Sequence, residues 1–324
     1  RRSIALEVNS NRYKVLAIKI ERTNYSLGVF NLKGEKYTTI KRDCSEYSSA
    51  KEILHEIQKN AQELLNEYKE ILAVGVAVPG PYLREEGKMS IITEASVWNH
   101  TNVKKEFSDM FSIPVFVEHD ANAGAMADWW FGSISSEVDV LVHLLLSEGV
   151  GAGIIEKGSL HIGHQGIAGE IGHMTIDPYE TETCGCGKKG CAEQYCSATG
   201  VVRMARRYLE SHDTPSVLRE QKFECKDVFA AAAEGDEAAA AVLEQVFELM
   251  GQFLANIACV TDPEVIVLGG GVSKAGQPLI DGVTKYFHKY AFHACRSTRI
   301  TLATLGNDAG AYGAFKLALD EFGA

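Results

Sequence analysis

Short apolar or alternating runs open the chain and predict an antiparallel meander of strands. A Lys33-Gly34 turn separates the last two runs, as expected of a hairpin. A helix-period stretch over 49–69 follows, and then a continuous apolar run over 71–78 predicts a buried parallel strand. Because Pro79-Gly80-Pro81 ends that run, we expect a functional loop there. The runs of the meander cover residues 5–8, 14–20, 27–32 and 36–40.

Strands and helices alternate through the rest of the chain. A second meander, over residues 140–155, repeats the spacing from strand to turn seen in the first. This repeat indicates two related halves, each a mixed sheet with helices, although any two hairpins resemble each other to some degree. Further strands are predicted over 115–118 and 265–268, and helices over 103–111, 119–130, 201–211, 225–233, 236–259 and 310–322.

Length and repeat together predict two α/β domains. A chain of 324 residues exceeds the size at which one hydrophobic core keeps growing. We expect an N-terminal domain over residues 1–117, completed by a C-terminal helix at about 307–324. The C-terminal domain is expected over 118–306, with a Cys-rich insertion over 164–200.

Composition and charge exclude several classes of protein. Hydrophobic residues make up 46% of the chain, which is enough for a full core without a disulfide framework. The 32 Lys and Arg against 43 Asp and Glu argue against DNA binding by this chain alone. No apolar run approaches a membrane span, and the start carries neither Met nor a signal segment. We expect a cytoplasmic protein that binds no membrane and lacks its true N-terminus.

The strongest chemical signal is a cluster of cysteines after a histidine. His173 precedes Cys184, Cys186 and Cys191, and glycines between the cysteines allow the tight turns that bring the sulfurs together. Three thiolates and one imidazole form a tetrahedral set for structural zinc with no open position for catalysis. The alternative is a buried thiol cluster without metal, and Cys196 is a rival ligand that the pattern does not require.

Three carboxylates are candidates for binding a small polyol. Glu170 and Glu193 flank the zinc loop, which would fix both side chains, although two solvated surface glutamates are the alternative. Asp120 lies where a strand ends and a helix begins, where open α/β sheets collect ligands. An Asp there is as often a helix cap, but beside the other carboxylates it is a candidate base for a substrate hydroxyl.

These features together resemble the ROK family, which comprises bacterial sugar kinases and sugar-responsive repressors. The resemblance covers essentially the whole chain. It implies an α/β, actin-like (ribonuclease-H-like) two-domain fold with an interdomain sugar cleft, and a homodimer or homotetramer. Besides the zinc loop, the segments that carry it are residues 78–81, 118–122, 268–273 and 307–314.

Individual roles follow from the resemblance. Asp120 matches the catalytic base of the kinases, and His119 stands where they usually have a sugar-binding Asn. His173 matches a histidine that both ligates zinc and faces the sugar. Loop 82–102 sets specificity in the family, and Glu94, Trp98 and Asn99 are candidate contacts within it. The sugar-binding positions that the resemblance implies are Gly80, His119, Asp120, Glu170, His173 and Glu193.

The phosphate-binding half of the kinase pattern is altered. ROK kinases carry Asp-x-Gly-Gly-Thr in the first hairpin, where this chain has Lys19-Ile20-Glu21-Arg22-Thr23. In the second hairpin the family's Gly-Thr-Gly becomes Ser147-Glu148-Gly149. The run Gly269-Gly270-Gly271 is intact, but a glycine turn after a strand is a weak signal. We therefore expect ATP and Mg²⁺ not to bind.

The sequence favours the body of a sugar-responsive repressor, of the xylose or N-acetylglucosamine type. A sugar or sugar phosphate would be its effector, and DNA would bind only through a domain before Arg1. The alternative is an ATP-dependent sugar kinase, of the glucokinase or N-acetylhexosamine kinase kind, with Asp120 as base. A third class, a scaffold with a vestigial pocket, would bind zinc without sugar.

Overall fold

A computed structural model describes residues 9–90, 96–134, 138–220 and 222–323. The strand predicted over residues 5–8 lies outside these ranges. The chain divides into two compact units, Arg1–Ala123 with Asp308–Ala324, and Gly124–Asn307. The predicted boundary lay after residue 117, with residues 307–324 returning to the first domain.

The described secondary structure alternates strands and helices in chain order. The strands are β1 (Lys14–Ile20), β2 (Asn24–Asn31), β3 (Lys36–Asp43), β4 (Ile71–Val78), β5 (Tyr82–Leu83), β6 (Lys88–Met89), β7 (Val115–His119), β8 (Val140–Leu146), β9 (Val150–Glu156), β10 (Ser159–Leu160), β11 (Val265–Gly269) and β12 (Arg299–Leu302). The helices are α1 (Ala50–Glu67), α2 (Val103–Met110), α3 (Asp120–Phe131), α4 (Glu193–Cys196), α5 (Ala198–Ser211), α6 (Cys225–Ala233), α7 (Glu237–Thr261), α8 (Gln277–Tyr290) and α9 (Ala309–Gly323).

Each unit contains a five-stranded mixed sheet, and the two sheets share one topology. The strand orders are β3-β2-β1-β4-β7 in the first unit and β10-β9-β8-β11-β12 in the second. In both, the three meander strands are antiparallel and the next two strands add in parallel. The prediction of two mixed sheets with helices is confirmed, and the fold is the actin-like one.

Helices cover both faces of the first sheet. Helix α1 starts at the cap Ser49, whose hydroxyl accepts from the Glu52 amide, and buries its apolar stripe against one face. On the other face, α9 lies so close to β4 that a Cβ on Gly75 would be 1.8 Å from the Ala314 carbonyl oxygen. Glycine at this position therefore allows the C-terminal helix to complete the first unit.

Helix α7 forms the centre of the second unit. Asp236 caps its first turn by accepting from the Ala239 amide, and its apolar residues pack against β8 and β11. Within the described ranges it is the one helix long and apolar enough to cross a membrane. Of its most apolar stretch, 61% is buried, as in the core helix of a folded domain.

A buried acid–imidazole pair joins α3 to β8 on the opposite face of that sheet. The His143 Nδ1 atom lies 2.6 Å from the Asp128 Oδ2 atom, and both side chains are 1% exposed. Gly124 and Gly269 leave room for the ring, because a Cβ on either would come within 2.6 Å of it. His143 Nε2 and Asp128 Oδ1 have no hydrogen-bond partner among the described residues.

The sequence prediction lacked the short elements β5, β6, β10 and α4, and it also lacked helix α8 and strand β12. Helix α8 was missed although its buried residues have helical spacing, at Leu279, Val283, Tyr286 and Phe287. Strand β12 is an edge strand of four residues with no clear alternation of buried and exposed positions. Its pairing with β11 is a tertiary contact, which a local pattern does not encode.

Candidate functional site

Gly80, His119 and Asp120 lie together at the carboxyl edge of the first sheet. His119 ends β7 beside the end of β4, and Asp120 is the first residue of α3. The His119 Nε2 atom lies 3.1 Å from the Asp120 Oδ1 atom, and His119 is 7% exposed. A Cβ on Gly80 would be 2.3 Å from that same Nε2. The loop after β4 thus packs directly against the imidazole.

Glu118, which was not among the predicted site residues, supports Gly80, His119 and Asp120 through hydrogen bonds to their neighbourhood. Its side chain is fully buried, and Oε1 accepts from the His119 amide at 2.8 Å and from Asn122 Nδ2 at 3.0 Å. Oε2 accepts from Arg84 Nη1 at 2.6 Å. The signal was an acidic residue at a buried strand end, where a charge requires partners. Its partner Arg84, in the β5–β6 hairpin, could not be identified from spacing.

The same carboxylate acts on a neighbouring phenol. Tyr82 is buried, and desolvation together with the negative charge of Glu118 raises the pKa of Tyr82 to about 12. The Tyr82 phenol therefore stays protonated and uncharged at neutral pH.

An ion pair lies at the turn between β1 and β2, where kinases of the resembled family bind phosphate. Lys19 Nζ donates to Glu21 Oε1 at 2.5 Å, and Lys41 Nζ lies 3.9 Å from the other Glu21 oxygen. The Lys19 side chain is 14% exposed, and its methylenes lie 2.7 Å from where a Cβ on Gly310 would stand. This turn therefore contains a lysine stem and a carboxylate instead of glycine backbone.

The four predicted metal ligands come together in the second unit. One ligand atom from each of His173, Cys184, Cys186 and Cys191 lies within 4.8 Å of the other three. The sulfurs of Cys186 and Cys191 are 3.6 Å apart. Cys184 Sγ lies 3.9 Å from His173 Nδ1. With Zn–S bonds of about 2.3 Å, a tetrahedral site has sulfur separations of about 3.8 Å. The donor set and its spacing suit zinc.

Backbone turns and burial shape the loop around the thiol–imidazole cluster. Gly190 has φ +70°, and a Cβ there would be 1.7 Å from the Asp177 carbonyl oxygen, so only glycine is accommodated. Burial and the neighbouring Cys186 thiol raise the pKa of Cys191, and burial likewise raises the pKa of Cys184. A bound cation would counter both effects, because metal ligation stabilises thiolates. Cys196 is fully buried in the apolar core and is not in the cluster.

Strand β9 brings Glu170 and Glu193 to one edge. The Val150 amide donates to Glu193 Oε2 at 3.0 Å, and the Ala152 amide donates to the Gly169 carbonyl, next to Glu170. The other Glu193 oxygen lies 4.0 Å from Cys184 Sγ. Both glutamates are half-buried. The loop therefore positions the Glu193 carboxylate beside the thiol–imidazole cluster and holds the backbone next to Glu170 against β9.

A charged network fastens the loop to α5. Glu180 has a side chain 2% exposed and accepts from Arg203 Nη2 at 3.0 Å and Arg207 Nη1 at 2.8 Å. The hydroxyl of Tyr195, four residues after Cys191, donates to Glu180 Oε2 at 2.8 Å. Burial alone would raise the Glu180 pKa, but the hydrogen bonds from Arg207 and its other donors outweigh burial and lower it.

The second hairpin carries a carboxylate at its turn. Ser147 Oγ donates to Glu148 Oε2 at 2.9 Å, and Glu148 is exposed. Gly270 has φ +86°, and a Cβ there would be 2.3 Å from the Leu146 carbonyl oxygen, which explains this glycine by backbone packing. Gly269 makes room for His143, and a Cβ on Gly271 would face open space.

The predicted sugar residues fall into one group in each unit. The first unit holds Gly80, His119 and Asp120, and the second holds Glu170, His173 and Glu193. Of the candidate specificity residues, Trp98 is fully buried in the first core and Asn99 is half-buried. Glu94 lies outside the described residues.

Known proteins similar to this chain include both sugar kinases and repressors. A glucokinase of Halalkalibacterium halodurans is 34% identical, over 75% of each chain. The xylose repressor of Caldicellulosiruptor bescii is 26% identical, over 91% of this chain and 75% of the repressor. The structure resembles that of a ROK family glucokinase from Streptomyces griseus in complex with glucose and AMPPNP. The two have a TM-score of 0.82 at 28% identity and cover 95% of this chain and 99% of that one.

A family model described as the ROK family matches residues 15–321, nearly the whole chain. The matched range includes both groups of predicted sugar residues and the thiol–imidazole cluster. The chain belongs to the ROK family.

Proposed function

We propose that this chain is the effector-binding body of a sugar-responsive transcriptional repressor rather than a sugar kinase. The observation that carries the proposal is the Lys19–Glu21 ion pair at the β1–β2 turn. Phosphoryl transfer depends on positioning a polyphosphate and neutralising its charge. Lys19 cannot coordinate Mg²⁺, and Glu21 and Glu148 place carboxylates at both hairpin turns. At an effective dielectric of about 20, two like charges 4 Å apart repel by about 4 kcal/mol.

The retained residues suit recognition of sugar hydroxyls. His119 and Asp120 offer an imidazole and a carboxylate at one edge of the first sheet, and Glu170 and Glu193 offer two carboxylates beside β9. Carboxylate oxygens accept hydrogen bonds from hydroxyls, and an analogue without those hydroxyls would leave the carboxylates unpaired. The effector is thus a sugar, and its binding biases one conformation of the protein by differential affinity.

The cluster of His173, Cys184, Cys186 and Cys191 would hold zinc in a structural role. Bound there, the ion would cross-link the four side chains and so stabilise the loop. The Val150 amide, which donates a hydrogen bond to the Glu193 carboxylate, orients that side chain. DNA binding is assigned to a helix-turn-helix domain before Arg1, and the body assembles as a dimer or tetramer in the cytoplasm.

The second candidate function is an ATP-dependent sugar kinase. It is supported by the Asp120 carboxylate at the start of α3, a type of group that can act as a general base, and by the glucokinases among the relatives. In that case Asp120 would accept a proton from the sugar hydroxyl that attacks the γ-phosphate.

Calorimetric titration with free and phosphorylated sugars tests the repressor proposal. We expect one sugar to bind, and Glu193→Gln to weaken its affinity about tenfold or more. Glu182→Gln is the matched control, because Glu182 belongs to the same loop but lies 52% exposed and binds Arg203. Loss of affinity in both variants, or binding of no sugar by the zinc-loaded protein, would overturn the proposal.

A coupled assay with ATP, Mg²⁺ and the bound sugar separates the two functions. We expect no turnover above background in the native sequence. Turnover at about 1 s⁻¹ or faster, within the ordinary range for kinases, would establish the kinase instead.

A further inference from the structure

The end of α7 and the segment before β12 are joined by a set of contacts outside the candidate site. Cys295, in a short 3₁₀ turn over His293–Ser297, directs its sulfur to the Ala258 carbonyl oxygen at 3.7 Å. Thr298 Oγ1 donates to the Pro263 carbonyl oxygen at 2.9 Å, and the Arg299 amide donates to the Glu264 carbonyl oxygen at 3.0 Å. These contacts fix the turn against the end of α7 and the residues that follow the helix.

The contacts place Cys295 beside the helical turn that carries Cys259. Cys259 follows Ala258 in the last turn of α7 and is exposed, whereas Cys295 is 7% exposed. The Cys295 sulfur contacts the carbonyl oxygen of Ala258, the residue directly before Cys259. One thiol is therefore open to a reagent in solution, and the other is held against the same turn of the helix.

We propose that Cys259 and Cys295 are a redox modification site that closes to an intramolecular disulfide on reaction with a low-molecular-weight disulfide such as oxidised glutathione. In the first step the Cys259 thiolate attacks one sulfur of the reagent, forms a mixed disulfide and releases one thiolate. The Cys295 thiolate then attacks the Cys259 sulfur and releases the second small thiol. Both protein thiols lose their protons, the protein is oxidised by two electrons, and the reagent is reduced to two thiols.

The second step has a distinctive pH dependence. Burial, followed by the charges of Cys259 and Asp262, raises the pKa of Cys295 above its ordinary value of 9.0. Since the thiolate is the attacking species, ring closure should accelerate as pH rises from 7 to 9. The mixed disulfide on Cys259 should accordingly be more persistent at the lower pH.

The closed disulfide would link the α7 end to the edge of the second sheet. It would span a loop of about 35 residues, and cross-links of that size restrict the unfolded chain substantially. We expect the thermal midpoint of the second unit to rise by about 5 °C or more on oxidation and to return on reduction.

Peptide mapping tests the assignment on the zinc-loaded protein, in which the cluster thiols are occupied. After oxidised glutathione and alkylation of free thiols, trypsin should release residues 227–274 linked to residues 290–296. The linked species should disappear with reductant and be absent from Cys295→Ser, in which Cys259 should instead retain glutathione. Cys225→Ser is the matched control, because that thiol lies in a different tryptic peptide, and it should leave the link intact.

Three results would overturn the proposal: glutathione that remains on Cys259 in the native sequence at pH 9, both thiols alkylated after oxidation, or either cysteine linked to another partner. If Cys295→Ser unfolds, Cys259→Ser serves in its place, since an exposed position tolerates the change, and it too must abolish the link. The proposal is independent of sugar binding and stands or falls separately from the proposed function.

Discussion

Three hydrogen-bond donors converge on the buried carboxylate of Glu118, and through them it sets the positions of His119 and Asn122. Arg84, which neutralises it, also reaches Glu321 in α9 at 3.5 Å. A buried charge with this many partners is costly to disturb, because each donor left without its acceptor carries a desolvation penalty. At the scale of single residues, the candidate sugar residues of the first unit thus depend on a neighbour that need not touch the sugar.

Replacing Glu118 with Gln should destabilise the first unit by about 2–4 kcal/mol. The amide cannot accept at both oxygen positions, so at least one donor loses its partner, and Arg84 loses its counter-charge. Urea denaturation measures the change. Glu321→Gln, which alters the exposed side of the same Arg84 network, should change stability by less than about 1 kcal/mol. Equal effects of the two variants would contradict this role of Glu118.

Gly80→Ala should weaken sugar affinity about tenfold or more while leaving the fold intact. The new Cβ would lie 2.3 Å from His119 Nε2, so the imidazole must move away from Asp120. Calorimetric titration reports the affinity, and circular dichroism reports the fold. Gly323→Ala is the control, because a Cβ there meets nothing within 4 Å, and its affinity should equal that of the native sequence.

At the scale of elements, β9 and α5 hold the cluster loop from two sides. β9 donates amides to the loop at Glu193 and Gly169, and α5 contributes the arginines that bind Glu180. The loop itself has little regular structure between residues 161 and 192. Its order therefore depends on these anchors and on the ligand cluster, rather than on helix or strand hydrogen bonds.

The Glu180 network predicts how stability depends on pH. Because the folded pKa of Glu180 is lowered from 4.5, its contribution is present above about pH 4.5 and is lost as pH falls below it. Glu180→Gln should lower the free energy of unfolding by about 2–3 kcal/mol at pH 7 and by less at pH 3. Denaturant titrations at several pH values measure this.

Glu182→Gln provides the matched control for that experiment. Glu182 binds Arg203 but is 52% exposed, so solvent screens its interaction. Its effect should be below about 1 kcal/mol at either pH. A Glu180→Gln difference that stays constant from pH 7 to pH 3 would contradict the assigned linkage.

Local patterns in the sequence were sufficient for most elements and for the cluster ligands, because these signals lie close together in the chain. His173, Cys184, Cys186 and Cys191 all lie within residues 173–191, and their spacing alone identifies them as a candidate set. Glu118 with Arg84, and Asp128 with His143, were not predicted. Each pair joins separate elements, so the partner of a buried charge becomes visible only when the fold brings the elements together.

At the scale of the whole molecule, the two units contain sheets of the same topology, but different helices and loops pack around each sheet. The first unit is completed by α9 from the far end of the chain, whereas the second carries the cluster loop and the long core helix α7. Among the described residues, the candidate metal ligands thus lie in one unit. The stability of that unit should respond to metal while that of the other does not.

Chelation should therefore lower the unfolding midpoint of the second unit selectively. Structural zinc contributes folding free energy directly, so its removal should separate one calorimetric transition from the rest. Elemental analysis should give one zinc per chain in the native sequence and in Cys196→Ser, but none in Cys184→Ser. Zinc retained by Cys184→Ser and lost by Cys196→Ser would show that the ligand set is wrong.

The Lys19–Glu21 pair also constrains how such a protein can change over generations. Lys19→Asp alone would place a second carboxylate against Glu21, and Glu21→Gly alone would remove the carboxylate that the Lys19 ammonium contacts at 2.5 Å. Each single step towards a kinase-like turn is thus unfavourable by itself, and only the double change removes the conflict. A substitution scan of this turn should therefore find Lys19→Asp and Glu21→Gly each less stable than the double variant carrying both changes.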